Sequence, residues 1–288
     1  MGNPAETKLA PGLYLIATPI GAARDITLRA LDILAAADML AAEDTRSLRK
    51  LMDIHALPLG ERKLISYHDH NAARARPAVM AALEAGKSVV YASEAGTPMV
   101  SDPGFDLARA TVAGGHRLVS APGPSAVVTA LTLSGLPTDR FFFAGFLAPA
   151  SGRRKSALRE LAQVPGTLVF YESSNRVAAM LRDAAQVLGG DRPAALCREM
   201  TKKFEEVLRA PLADLARITA ERPLKGEIVA LIGAGDSEKI RETDIDRALH
   251  TALQRHSMRD AVDVVSAEMG LKRRQVYQRA LDIERNRK

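Results

Sequence analysis

Four side chains in this sequence have the type and setting for proton transfer: Glu43, Asp44, His68 and Lys202. Glu43 and Asp44 follow the apolar run Met39-Leu40-Ala41-Ala42. Desolvation at the end of a buried strand can raise a carboxyl pKa into a useful range. Thr45 and Arg46 come next and offer the opposite outcome, two acids held charged in a structural network. His68 opens the phrase His68-Asp69-His70-Asn71, and its ordinary pKa is near neutral. It suits a base, a phosphate contact or plain exposure. Lys202 suits a phosphate contact or a neighbour's pKa shift. The residues alone leave this choice open. His68 and His70 with Asp69 also raise a metal, but no cysteine and no further histidine stand beside them, so none is expected.

A second kind of chemistry is suggested by Ala92 to Gly104. The apolar run Val89-Val90-Tyr91-Ala92 ends at Ser93, and Gly96, Pro98, Pro103 and Gly104 follow with Glu94 and Asp102. A stiff Gly- and Pro-rich loop at the end of a parallel strand is where α/β proteins bind ligands. The phrase is neither G-x-G-x-x-G nor G-x-x-x-x-G-K-[ST], which weakens an ordinary nucleotide reading. Thr18-Pro19-Ile20-Gly21, Glu43-Asp44 and Pro122-Gly123-Pro124-Ser125 end apolar runs in the same way. Gathered at the carboxyl edge of one sheet, they would form a single cleft, which argues for an enzyme.

The elements that must carry these residues alternate between strand-like and helix-like runs, which predicts an α/β class. Strands are expected at Leu13 to Ala17, Met39 to Ala42, Leu64 to Tyr67, Val89 to Ala92 and His116 to Ser120. Helices are expected through Leu28, Leu31 and Leu34, through Val79 and Leu83, from Phe105 to Ala113, and from Ser125 to Ser134 with Gly135 as its cap. A boundary is expected around Leu136 to Ser151. A second α/β unit then holds strands at Thr167 to Tyr171, Ala194 to Arg198, Phe204 to Leu208 and Glu227 to Ile232, and a helix from Arg176 to Leu188. This gives a disordered leader over 1–12, α/β domains over 13–136 and 137–234, a linker from Gly233 to Glu242, and a helical domain over 243–288. In that last part, Ser257 and Asp260 form a capping-box variant, Gly270 ends one helix, and a basic helix begins near Leu271. Helix, turn and basic helix suggest a helix-turn-helix-like bundle.

The chain of 288 residues is 47% apolar and carries a net charge of +6, values that suit a globular protein with a polyanionic partner. Basic residues cluster at Arg153-Arg154-Lys155 and again at Lys272, Arg273, Arg274, Arg279, Arg285, Arg287 and Lys288. Either cluster is a nucleic-acid contact or a solvated surface. No apolar run approaches the roughly 20 residues that span a bilayer, and no secretory leader is recognisable. The lone cysteine, Cys197, excludes an intrachain disulfide, reads as a buried inert thiol and fits a reducing cytoplasm.

Taken in order, several phrases resemble the ribosomal RNA small-subunit methyltransferase I family, within the tetrapyrrole-methylase class of S-adenosylmethionine-dependent enzymes. They are Ala17 to Gly21 with Asp25, Ala42 to Arg46, His68 to Asn71, Ser93 to Pro98, Ser101 to Gly104 and Pro122 to Ala126. In the second half they are Phe170 to Ser173 with Arg176, Arg198 to Lys202, and Lys225 to Glu227. The sequence departs from the family pattern at Ala22 and Ala23, Glu94, Ala148 and Asn175, most notably with Glu94 where Asp is usual. The resemblance implies two α/β domains with an S-adenosylmethionine cleft between them. It also implies a homodimer and methylation of a cytidine ribose 2′-hydroxyl in the decoding region of 16S rRNA. Carbonyls and hydroxyls suit a methyl-sulfonium, and Gly96, Thr97, Ser101 and Ser125 can offer them. Thr18, Pro19, Gly21, Glu94, Ala95, Ala126, Tyr171, Met200 and Gly226 are the further cofactor positions that the resemblance implies. A ribose hydroxyl is a weak acid, which gives the four proton-transfer candidates their purpose. Candidate rRNA contacts are Arg46, His70, Arg153, Arg154, Lys272, Arg273 and Arg274. Rival readings are methylation of a small molecule such as a tetrapyrrole, and a ligand-sensing regulator that binds nucleic acid.

Overall fold

The computed structural model describes residues 8–101, 104–235, 242–269, 271 and 273–285. Asp102, Pro103, Gly270, Lys272, Arg287, Lys288, residues 1–7 of the expected leader and 236–241 of the expected linker lie outside the described residues. The chain divides into two compact units after Gly233.

The first unit contains two five-stranded sheets. Strands β1 (Gly12–Ile16), β2 (Met39–Ala42), β3 (Lys63–Ser66), β4 (Ser88–Ala92) and β5 (Leu118–Ala121) form one sheet in the order β3-β2-β4-β1-β5. All of its pairings are parallel. Helices α1 (Leu28–Ala36), α2 (Thr45–Ile54), α3 (Ala72–Glu84), α4 (Phe105–Ala113) and α5 (Ala126–Ser134) follow the five strands in turn. Alternate residues of β1 go to separate cores, Tyr14 and Ile16 to one and Leu13 and Leu15 to the other. A strand covered on both faces must be apolar throughout, so these strands read as continuous runs. The Thr27 side chain accepts from the Ala30 amide and caps α1.

The second sheet joins β6 (Phe141–Phe146), β7 (Thr167–Ser173), β8 (Pro193–Arg198), β9 (Glu206–Pro211) and β10 (Glu227–Ile232) in the order β6-β7-β10-β8-β9. Only the β6–β7 pairing is parallel. Helices α6 (Ser151–Leu161), α7 (Val177–Leu188) and α8 (Leu212–Glu221) cover one face. On the other face, Val169, Ala195, Cys197, Val229 and Leu231 pack against Val127, Ala130 and Leu131 of α5 and against Ile20. Helix α5, which follows the last strand of the first sheet, thus packs in the core of the second. Cys197 is fully buried there, and burial pushes its thiol up to about 11, which keeps it inert at neutral pH.

The structure corrects several expectations. Strand β6 lies inside what the sequence suggests is a boundary. Strand β9 starts two residues later than expected, at Glu206. Helices α2, α6 and α8 were not anticipated. Beyond Gly233 there are three helices among the described residues, not two: α9 (Glu242–Leu253), α10 (Met258–Met269) and α11 (Arg273–Arg285). Ile245, Leu249, Val262, Val265, Val276 and Ala280 build their core. Arg279 is held by both carboxylate oxygens of Asp246, at 2.6 and 2.7 Å, and Arg273 pairs with Asp263. Arg274 is exposed. No helix among the described residues is long and apolar enough to cross a membrane.

Arg154 is a further correction. It is not a surface contact for a polyanion, because it is only 4% exposed. Its Nε donates to Asp183 at 2.8 Å, and its Nη1 donates to the Pro149 carbonyl at 2.9 Å, tying α6 to α7. Burial pushes the Asp183 carboxyl up, but hydrogen bonds from Ser151 and Arg154 outweigh this and hold it below its ordinary value. Asp183 therefore contributes stability above the unfolded carboxyl pKa, and that stability is lost as pH falls through the lower folded value. Arg154→Ala leaves the buried Asp183 carboxylate to Ser151 and to Lys155 at 3.6 Å, and should cost about 3 kcal/mol in urea unfolding at pH 7, with the deficit shrinking below about pH 4. A loss under about 1 kcal/mol would show that the pair is dispensable.

Candidate active site

Because every strand of the first sheet is parallel, every carboxyl end reaches the same edge. A cavity of about 510 Å³ opens there, within the range of small-molecule sites. On the first-sheet side it is lined by Ile20, Glu43, Glu94 to Thr97, Val100, Ser101, Ser125 and Ala126. The second sheet supplies Phe146, Tyr171 to Ser174, Met200 and Gly226 to Val229. The cleft is thus shared by both sheets and not made by one edge alone.

The loop after β4 is held by bonds to the loops after β1 and β5 and by one bond within itself. Thr18 and Gly96 exchange backbone hydrogen bonds, both at 2.9 Å. The Thr18 hydroxyl donates to the Ser93 carbonyl, the Ser93 hydroxyl to the Gly96 carbonyl and the Thr97 hydroxyl to the Pro124 carbonyl. Gly96 stands at φ +80°, where a glycine is favoured. Met99 and Ser101 adopt positive φ without being glycine, a strain of the kind found at ligand sites. Thr18 is therefore buried beneath the loop and shapes it. Neither it nor Pro19 lines the cavity.

Gly21 is also outside the lining, and its role is close approach. A Cβ there would meet Thr201 Oγ1 at 2.4 Å and Lys202 Cγ at 2.7 Å. The Ala22 amide donates to Thr201 Oγ1 at 3.0 Å, so the loops after β1 and β8 lock together. Lys202 Nζ lies 3.0 Å from Glu199 Oε1 and 2.9 Å from Glu227 Oε2. Burial pulls the Lys202 pKa down, but the two carboxylates outweigh it and hold the ammonium above its ordinary pKa. Lys202 stays protonated and is not a base. It fastens the rim to Glu227, which lines the cavity.

Asp44 is likewise corrected. Its carboxylate caps α2 by accepting from the Arg46 and Ser47 amides, and bonds from Arg46 bring its pKa down to about 2. An anion this stable is a poor proton acceptor at neutral pH. Arg46 is consumed in the same pair, although its side chain remains 91% exposed. His68 does not line the cavity, and its Nδ1 is buried with no partner among the described residues. His70 and Arg153 are exposed outside the cavity. Glu43 alone of the four proton-transfer candidates lines it. Its Oε2 accepts the Glu94 amide at 3.1 Å.

Sequence reasoning missed Phe146, Glu172 to Ser174, Glu227 and the apolar Ile20 and Val100. Tyr171 meets the rings of Phe143 and Phe146 edge-on, at 4.8 and 5.6 Å. Glu172 is 3% exposed, is paired with Arg176 and accepts the Ser173 amide. Glu172, Ser173 and Glu227 sit inside phrases already quoted, so their signal was present. Phe146 lies on the unanticipated β6. Among the described residues no cluster of His, Cys, Asp or Glu has the makings of a metal site.

A family model for the tetrapyrrole (corrin/porphyrin) methylases matches residues 12–216, and a second, the RsmI C-terminal HTH domain, matches residues 240–284. Fold and cleft are those of a tetrapyrrole methylase. A Mesorhizobium japonicum protein called ribosomal RNA small subunit methyltransferase I is 45% identical, covering 96% of this chain and 93% of that one. The protein of that name from Escherichia coli O157:H7 is 38% identical, covering 94% of each. The chain belongs to the ribosomal RNA small subunit methyltransferase I family. A crystal structure of the Thermus thermophilus uroporphyrin-III C-methyltransferase, complexed with S-adenosyl homocysteine, superposes with a TM-score of 0.54. It is 22% identical and covers 77% of this chain and 97% of that one, a likeness of fold.

Gly226 gives this site a direct test. It stands at φ +94°, and a Cβ would lie 2.5 Å from the Glu199 carboxyl group. Gly226→Ala should cost about 2 kcal/mol in urea unfolding and loosen the Lys202 fastening. Wild-type stability in that variant would show that the rim yields freely.

Proposed function

We propose that this chain transfers a methyl group from S-adenosylmethionine to the ribose 2′-hydroxyl of a cytidine in the decoding region of 16S rRNA. The observation that carries the reading is the cavity itself. It combines an acid, several hydroxyls and an aromatic wall at the meeting of two sheets, in a chain of this family. The donor fits the residues present. Tyr171, Phe146 and Met200 supply flat and polarisable surface for an adenine and a thioether, while Ser101, Ser125 and Ser174 supply hydroxyls. The Ser125 side chain makes no capping bond to α5 and so remains open to a ligand.

When bound, S-adenosylmethionine supplies an electrophilic methyl on a sulfonium with its own leaving group. The chain must align the acceptor oxygen with it, exclude water and receive the hydroxyl proton. Alignment is worth up to about 7–11 kcal/mol of barrier. Glu43 is the proton acceptor in this reading, with Oε2 steadied by the Glu94 amide. With the donor bound, Glu43 would take the proton that the 2′-hydroxyl gives up on methylation. The +6 net charge and exposed cations such as Arg274 support a polyanionic substrate. A homodimer and a cytoplasmic setting complete the proposal. The exposed rings of Phe141 and Phe142, one on each face of the edge strand β6, leave an apolar edge that suits a second copy.

Titration calorimetry should detect S-adenosylmethionine binding, and labelled methyl should appear on ribose in undermethylated small subunits. Label on a tetrapyrrole and none on RNA would overturn the substrate. Glu43→Gln should lower kcat about 10²- to 10⁴-fold with little change in KM, in single-turnover assays. An unaltered kcat removes Glu43 as the base. Deleting 244–288 should weaken RNA binding and flatten its salt dependence, by about 0.7 in log–log slope for each phosphate those helices neutralise. An unchanged slope would assign those helices no RNA contact.

A further inference from the structure

We infer that the loop between β8 and β9 is a stacking seat for an unpaired RNA base next to the methylated ribose, with Phe204 taking the base and Lys203 an adjoining phosphate. The inference rests on the RNA reading above. The Phe204 ring is 63% exposed, and an apolar ring left in water gains nothing from folding. Its exposure is not that of a frayed loop. The Thr201 amide donates to Glu205 Oε2 at 2.6 Å, the Lys202 amide to the Glu199 carbonyl at 3.0 Å, and the Glu205 amide to the Lys202 carbonyl at 3.1 Å. Glu199 and Thr201 hold positive φ without being glycine, and the Lys202 ammonium is fixed between two carboxylates. A loop constrained this heavily presents its ring in a set place. Preorganisation of that kind lowers the entropy that binding must overcome.

Position and charge point to the occupant. Met200, four residues before the ring, lines the cavity, and so does Glu227, to which Lys202 is fastened. Phe204 is two residues past Lys202, within about 7 Å along the chain. The seat is therefore tied to the cavity rim through Met200 and the Lys202–Glu227 pair. Lys203 Nζ lies 5.6 Å from the ring centroid and makes no ion pair among the described residues, so its charge is free for a phosphate. Lys225 is exposed beside Gly226 on the same rim. Single-stranded RNA is held by splaying bases onto aromatic rings, and every base offers a face to stack. A strand held out in this way would present its ribose to the cavity. Phe204 then fixes the neighbouring nucleotide and leaves choice of base to other contacts.

The chain contains no tryptophan, so Phe204→Trp introduces the sole indole reporter. Its fluorescence should be quenched by a short unstructured RNA. Phe204→Ala should raise KM for undermethylated small subunits about 10- to 100-fold, with a smaller effect on kcat. Phe204→Tyr should restore KM, Lys203→Ala should reduce the salt dependence of RNA binding, and calorimetric affinity for S-adenosylmethionine should stay at wild type in all four. If wild-type protein methylates rRNA and Phe204→Ala keeps its KM, the seat is overturned alone. A shift from dimer to monomer in sedimentation of Phe204→Ala, with KM unmoved, would assign the ring to a contact between copies and also overturn it. Wild-type protein that binds S-adenosylmethionine yet labels no RNA overturns the substrate reading, and the seat falls with it.

Discussion

The burial of helix α5 against the second sheet is the interaction on which the cleft depends. Val127, Ala130 and Leu131 leave water against Val169, Cys197 and Val229, while the chain enters this helix directly from β5 of the parallel sheet. Burial of this kind is worth roughly 25 cal/mol per Å² of apolar surface. It is also close-packed, so it transmits position and not merely attraction. The helix begins at Ala126, directly after Ser125, and both residues line the cavity. A shift of α5 against the second sheet would therefore move one wall of the site relative to the other. The Cys197 thiol, facing the Ala130 carbonyl at 3.7 Å, sits in the middle of that contact and is protected by it.

Charge at the site is organised around the same constraint. Most ionisable groups near the cavity are already paired: Asp44 with Arg46, Glu172 with Arg176, Lys202 with Glu199 and Glu227. Backbone and ammonium hydrogen bonds hold Glu199 below the ordinary carboxyl range, so it remains an anion for Lys202 to bind. These pairs fix loop ends and give the rim its shape. Glu43 and Glu94 make no ion pair among the described residues, and the Glu94 amide donates to Glu43 Oε2, which orients that carboxylate without pairing its charge. A site for a cationic donor needs few charges of its own, and apolar and hydroxyl surface fills the remainder.

Legibility in the sequence followed burial. The strands β1, β2 and β4 were readable to within a residue because both faces are covered and the runs are unbroken. Helices α4 and α5 were readable from their glycine ends. Strand β6 was not, because a register shift between Phe143 and Phe146 interrupts its pattern and its rings are partly exposed. Helix α6 hid for a similar reason: only Arg154 and Leu158 are buried in it, and the buried arginine resembles a surface cation until Asp183 is seen beside it. Of the candidate site, the loop after β4 and the start of α5 were legible as strand-end phrases, and the positions Tyr171, Met200 and Gly226 through the family resemblance.

By itself the sequence determined the α/β class, the alternation of strands and helices, the family and the segments that meet at the cavity. Periodicity and turn chemistry are local properties, and ordered phrases survive without any knowledge of contacts. Only the tertiary structure decided which acids are bound in ion pairs, that Arg154 is internal and that Lys202 is a fastening. Those outcomes depend on which residue far along the chain comes within hydrogen-bonding reach, and the fall of Coulomb and packing energies with distance makes that proximity decisive.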